Sequence, residues 1–178
     1  MILIRHGQSE FNVVFGPTRR DPGIVDPKLT AEGERQAAAA AETLVGRGFR
    51  RVIASPYTRA LHTAEIVAER LGLPVSVEPL VRERYAYTCD IGSPRSALTE
   101  RWSRVDFGDL PERWWHRAEE PEADLLVRCR HFHQVMARAE DWRQVVVVSH
   151  WGFIRGLTGL EVANCQQVSF EPSLLEGA

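Results

Sequence analysis

Three short stretches of the chain place basic residues where an apolar run stops. Met1–Ile4 leads into Arg5-His6-Gly7. Arg51–Ala54 leads into Ser55-Pro56, with Arg59 one turn further on. Val145–Val148 leads into Ser149-His150. Each run is apolar without alternation and bounded by polar residues, Gly or Pro, as in strands of a parallel sheet covered on both faces. In open α/β sheets ligands gather at the carboxyl ends of the strands. If these strands are neighbours, His6, His150, Arg5 and Arg59 meet at one place. A lone His at a strand end is usually structural, but this coincidence is much rarer.

Two guanidiniums and two imidazoles make a cage for an anion with several outer oxygens. Phosphate fits it through charge-assisted hydrogen bonds. An imidazole whose other nitrogen is held as a donor keeps its lone pair for attack on phosphorus. A leaving alcohol then needs a proton. Glu83, in Val81-Arg82-Glu83-Arg84, follows the third strand and is the first candidate, with Asp90 the second.

The elements that must position these groups can be read in outline. Residues 6–28, rich in Gly, Pro, Asp, Asn and Arg, read as a long loop, a length that tends to be functional. Thr30 caps a helix that runs to about Val45 and stops at Gly46 and Gly48. Strand 51–55 is followed by a helix from Pro56 to about Leu71, ended by Gly72 and Pro74. Residues 75–77 form an edge-like strand. Residues 79–118 are irregular, with a short helix at 93–102 and with Trp102, Trp114 and Trp115 as packing groups. A helix at 122–141 puts Leu125, Cys129, Phe132, Met136 and Ala139 on one face. A central strand at 145–149, a short helix at 152–160, a strand at 167–170 and a frayed tail from Glu171 complete the reading. The expected fold class is α/β, a three-layer α/β/α sandwich with a mostly parallel sheet. The expected organisation is a single domain over residues 1–178, with 79–118 an excursion over the sheet, because so short a segment rarely buries its own core.

Composition excludes several function classes. Of 178 residues 44% are hydrophobic and 26% charged, which argues against global disorder. A net charge of −2 argues against a polycation built for nucleic acid. Lys28 is the only lysine; the arginine excess has a bland explanation in codon usage. Cys89, Cys129 and Cys165 have no metal or redox spacing, and scattered thiols point to a reducing compartment. No leader pattern and no membrane-length apolar stretch is visible, so the cytoplasm is expected. His131 and His133, two apart on a helix, point away from each other and make no metal pair. His116 is expected to be exposed, and His62 either lines the pocket or supports it. Oligomeric state is not legible.

The quoted residues resemble the histidine phosphatase superfamily, also called phosphoglycerate-mutase-like. Arg5-His6-Gly7-Gln8-Ser9-Glu10-Phe11-Asn12 is similar to its signature. Leu29-Thr30-Ala31-Glu32-Gly33-Glu34-Arg35-Gln36-Ala37 is similar to its L-T-x-x-G-x-x-Q-A helix start. Ser55-Pro56-Tyr57-Thr58-Arg59-Ala60-Leu61-His62-Thr63-Ala64 resembles S-P-x-x-R-A-x-x-T-A, and Ser149-His150-Trp151-Gly152-Phe153-Ile154-Arg155 resembles S-H-G-G-x-I-R. The resemblance implies a phosphatase that hydrolyses a phosphomonoester through phosphohistidine on His6, needing no metal or other cofactor. It implies phosphate binding by Arg5, Arg59 and His150, contact of Asn12 with phosphate or substrate, and acid/base work by Glu83. Ser9 and Trp151 join the candidate substrate contacts. Arg19 and Arg20 could meet further acidic groups. The implied partner is a small phosphorylated substrate. Trp151 stands where the family has a small residue, and the chain after Glu83 lacks the family's G-x-x-E-G continuation. The compact excursion favours phosphatase over the alternatives, a phosphoglycerate mutase or a non-catalytic phosphate-binding module.

Overall fold

The computed structural model describes residues 1–172; residues 173–178, on which most of the expected frayed tail falls, lie outside the described residues. Five strands form one sheet: β1 (Ile2–Arg5), β2 (Arg51–Ala54), β3 (Val75–Val77), β4 (Val145–Ser149) and β5 (Gln167–Ser169). Their order is β3-β2-β4-β1-β5, with β5 alone antiparallel, against β1. β4 is buried along its whole length at the centre, as its unbroken valine run requires. The register sets Arg5 beside Ser149 and Ala54 beside Val148, so the three chemistry-bearing ends finish level.

Alternate strand residues face opposite ways, and two cores follow from that. Ile2, Ile4, Val52, Ala54, Val146 and Val148 face one layer, which includes α2 (Ala31–Glu42) and α3 (Thr58–Leu71). Leu3, Ile53, Val145 and Val147 face α5 (Glu122–Ala137) and α6 (Trp151–Thr158), through Leu125, Phe132, Phe153 and Ile154. The result is the three-layer α/β/α sandwich expected from sequence. Trp102, Phe107 and Trp114 of the excursion complete the first core beside Leu61 and Val67 of α3. The short helix there, α4, spans Arg95–Arg101.

The main correction concerns residues 6–28, which are not all loop. Helix α1 spans Glu10–Thr18, and it starts on a capping box in which the Ser9 side chain receives the Asn12 N–H and the Asn12 side chain receives the Ser9 N–H. Gly16 and Pro17 inside it obscure the pattern. Packing supplies the rest, because Phe11 stacks on Phe15 and both rings meet Tyr87. Smaller corrections are local. α2 ends at Glu42, short of Val45; α3 begins at Thr58, two residues after Pro56; α5 ends at Ala137; α6 begins one residue early, at Trp151.

Candidate active site

His6 follows the last residue of β1, and its N–H bonds to Ser149 O at 2.9 Å, which ties it to the neighbouring strand end. Its side chain is 4% exposed. Nδ1 lies 2.7 Å from Gly7 O. A carbonyl only accepts, so Nδ1 carries the proton and Nε2 of the neutral ring keeps its lone pair. Burial, then the Arg59 and Arg5 charges, hold His6 well below its ordinary value; the ring is neutral at neutral pH.

The turn after His6 is fixed by close backbone approach. A Cβ on Gly7 would lie 2.4 Å from Gly33 O, and one on Gly33 would lie 2.1 Å from Gln8 O. The start of α2 therefore abuts the turn directly. Gly7 N–H donates to Thr63 Oγ1 at 3.1 Å, and that hydroxyl donates to Arg59 O at 2.8 Å. Thr63 thus couples the His6 turn to the first turns of α3.

Arg59 is buried and lies over the Tyr57 ring. Its Nη1 donates to Cys89 O at 2.7 Å and its Nη2 to Asp90 Oδ1 at 3.0 Å. Burial works against its charge, but the Asp90 carboxylate and the other acidic groups around it outweigh burial, so its pKa is raised and the guanidinium stays charged. Asp90 is fully engaged. It also accepts Ala86 N–H at 3.0 Å and Tyr87 N–H at 3.1 Å, and its carbonyl receives Tyr57 OH at 2.7 Å. Arg5 donates Nη1 to Val162 O at 2.8 Å, and its Nε is buried without a partner among the described residues.

His150 is fully buried, with its ring centroid 5.1 Å from that of His6 and its Nε2 2.7 Å from Ser55 Oγ. Its Nδ1 has no partner among the described residues. Burial first, then Arg59 and His6, push its pKa well down. The structure brings His6, His150, Arg5 and Arg59 together as the sequence suggested.

Glu83 sits across from the start of α6. Its Oε2 accepts Gly152 N–H at 3.1 Å and its Oε1 accepts Arg84 N–H at 2.8 Å. Burial, then the Asp90 charge, raise its pKa against the opposing pull of the Gly152 N–H, Arg59 and the Arg84 N–H. A Cβ on Gly152 would lie 2.4 Å from Glu83 Oε1, so only Gly admits the carboxylate there.

The remaining candidates are placed less directly. Asn12 Oδ1 accepts Ser9 N–H at 3.0 Å, Ser9 Oγ–H at 3.1 Å and Asn164 Nδ2 at 3.2 Å, which leaves its own Nδ2 as the free end. Ser9 is occupied as the helix cap. Trp151 packs against the α5–α6 core, with Arg155 over its ring. Arg19 lies over Phe15 at the end of α1. His62 stands 3.8 Å from Glu34, and His133 meets Phe170 edge-on. His116 is half-exposed and contacts Arg82.

Several supporting residues were missed in the sequence. Asn164 also donates to His6 O at 3.0 Å. Asp26 caps α3 from outside, accepting Thr58 N–H at 3.0 Å and Thr58 Oγ1 at 2.7 Å, and binds Ser93 as well. Arg128 and Glu120 form a buried pair behind Glu83. Only Thr63 had a signal, its place in the S-P-x-x-R-A-x-x-T-A segment. The others act through contacts distant in sequence.

The fold and these strand ends define an α/β protein with two arginines and two histidines gathered at the carboxyl edge of a mostly parallel sheet. Comparison with known proteins makes the class specific. The sequence model of the histidine phosphatase superfamily (branch 1) matches residues 1–169, and the chain belongs to that superfamily. It is 31% identical to a glucosyl-3-phosphoglycerate phosphatase of Mycolicibacterium vanbaalenii, over 92% of this chain and 76% of that one. It is 30% identical to a 2,3-bisphosphoglycerate-dependent phosphoglycerate mutase of Methylobacterium radiotolerans, over 88% and 76% of the two chains. Among solved structures, a mycobacterial glucosyl-3-phosphoglycerate phosphatase complexed with VO3 superposes with a TM-score of 0.67 at 25% identity, covering 94% of this chain and 88% of that one. No helix among the described residues is long and apolar enough to cross a membrane.

Proposed function

We propose that the protein hydrolyses a small phosphomonoester by two displacements at His6, with the chain working as one domain. Nε2 of His6 attacks phosphorus, the bond to the leaving oxygen breaks, and Glu83 gives that oxygen its proton. Water then attacks the phosphohistidine, Glu83 takes a proton from it, and phosphate leaves with His6 restored. Arg5, Arg59 and His150 hold the phosphoryl oxygens, and Asn12 turns its Nδ2 toward them.

The observation that carries this reading is the His6 Nδ1 bond to Gly7 O, which leaves Nε2 unprotonated among two arginines and a second histidine. The orphan Nε of Arg5 supports it, because a buried donor without a partner is what a bound oxyanion satisfies, and His150 Nδ1 is a second such donor in the tautomer whose Nε2 accepts the Ser55 hydroxyl. The raised pKa of Glu83 suits a group that must carry a proton. Asp90 is a weaker donor candidate, since Arg59 and two backbone N–H groups already occupy it.

Substrate labelled at phosphorus, quenched after a few milliseconds, should leave an acid-labile label on His6. The His6→Ala protein should take up no label and lose on the order of 10⁴-fold or more in rate. A labelled His6→Ala protein would overturn the assignment. Activity should survive EDTA. The second reading, a mutase, is favoured by the names of several relatives. Interconversion of 3- and 2-phosphoglycerate faster than hydrolysis, primed by the bisphosphate, would establish it. Binding without any phosphoenzyme would instead mark a non-catalytic module. Glucosyl-3-phosphoglycerate, from the names of the relatives, is the first metabolite to assay. The buried free thiols suit a reducing, cytoplasmic setting.

A further inference from the structure

The segment that carries Glu83 runs from a 3-10 turn at Pro79–Val81 into irregular chain and has no strand partner to hold it. Its carbonyls are nevertheless met one after another by side chains from elsewhere. Leu80 O and Arg82 O each accept Arg128 Nη1 at 2.7 Å. Val81 O accepts Ser149 Oγ at 2.7 Å, and Glu83 O faces Arg128 Nη2 at 3.5 Å. Arg128 belongs to α5 and is 6% exposed.

Arg128 is itself oriented. Its Nε and Nη2 engage the two carboxylate oxygens of Glu120 at 3.0 and 2.6 Å, a fork that fixes where Nη1 points. Glu120 then grips the other side of Glu83, since its N–H donates to Tyr85 O at 2.9 Å and its carbonyl receives Arg84 Nε at 2.8 Å. A buried ion pair seldom stabilises more than apolar residues of the same size would. Stability alone is therefore a poor account of this pair. A lysine could not serve in its place, because an ammonium cannot span a carboxylate and two carbonyls in fixed directions.

We infer that Arg128, held by Glu120, is a positioning residue for the proton-donating arm: it clamps the backbone on both sides of Glu83 so that the carboxyl is delivered to the mouth of the His6 site. This rests on the reading of Glu83 as proton donor. The role differs from general support of the fold in one measurable respect. An alkyl phosphate has a poor leaving group and needs the donor, whereas 4-nitrophenyl phosphate has a good one and needs it little.

The full chain is compared with Arg128→Met, Arg128→Lys, Glu83→Gln and the Glu83→Gln/Arg128→Lys double variant, on glycerol 3-phosphate and on 4-nitrophenyl phosphate. Both Arg128 variants should lower kcat/KM on the alkyl ester by about ten- to a hundredfold and keep kcat/KM on the aryl ester within about threefold, because this ratio reports the displacement that expels the leaving group and not the later hydrolysis of phosphohistidine. In the double variant the alkyl loss should be no larger than for Glu83→Gln alone, as expected of residues acting through one group. Arg128→Lys keeps a cation beside Glu120 and guards against a variant that merely unfolds. Equal losses on the two esters, losses that multiply in the double variant, or wild-type rates in both Arg128 variants would overturn the inference. If Glu83→Gln itself treats the two esters alike, the donor assignment fails and the inference falls with it, so the two failures are read from different proteins.

Discussion

The proposed phosphate cage and the proposed proton-donating arm are built by different means. His6, Ser55 and His150 stand at the ends of three adjoining strands, and the backbone ladder aligns them. Glu83 stands on irregular chain and is held by side-chain donors reaching in from α5 and from the end of β4. A ladder position is set by many small bonds and is hard to shift by one substitution. A braced loop depends on a few strong bonds, so single changes there move a functional group without dismantling the fold. Damage to the cage should lower kcat/KM for every substrate alike, while damage to the arm should lower it mainly for those with poor leaving groups.

The largest effect that tests this contrast is Glu83→Gln. It should cost about 10²- to 10⁴-fold on an alkyl phosphate and far less on 4-nitrophenyl phosphate, in kcat/KM. Next comes Arg59→Ala, with a loss of about 10²- to 10³-fold on both esters; a strong ester preference in this variant would erase the distinction between cage and arm. Gly152→Ala is a finer probe. The added Cβ crowds only the far end of Glu83 and makes an ordinary contact with Arg84, so kcat/KM on the alkyl ester should fall by roughly tenfold while the thermal midpoint changes little. A large drop in midpoint with equal rate losses would show that the arm is not separately displaced.

The smallest expected effect is a matter of pH. The lowered pKa of His6 puts loss of the nucleophile's lone pair well to the acid side. The raised pKa of Glu83 keeps its proton above the usual carboxylate range, and that proton is lost as pH rises. For an alkyl phosphate kcat/KM should therefore hold on the acid side, where Glu83 keeps its proton and His6 has already lost its own, and decline toward alkaline pH. The alkaline decline belongs to Glu83, so it should flatten for the aryl ester. The same alkaline decline on both esters would assign it to another group.

The contrast also marks how far the sequence could be read. The cage was legible because strand ends announce themselves: an apolar run, then Arg5-His6-Gly7, Ser55-Pro56 or Ser149-His150. The sheet was legible for the same reason, with β4 recognisable from its valines. Helix α1 was not, because Gly16 and Pro17 weaken its local signal and its hold comes from the Ser9–Asn12 box and from packing against Tyr87. Glu83 could be nominated but not preferred to Asp90 on firm grounds. What separates them is that Arg59 and two amides take up Asp90, and those contacts exist only after folding. Arg128, Glu120, Asp26 and Asn164 were illegible for the same reason.

The strand order carries a consequence for handling and for change. The strands that end in functional residues, β1, β2 and β4, are the three interior ones, and each outer strand is only three residues long. Unpaired backbone along a sheet margin invites other chains to add to it, and short margins discourage this. The margins of this sheet therefore offer little backbone for a strand of another chain to pair with. Changes in the segments around the carboxyl ends of the interior strands can accumulate without lengthening that rim, which gives this scaffold room to vary around a fixed set of strand ends.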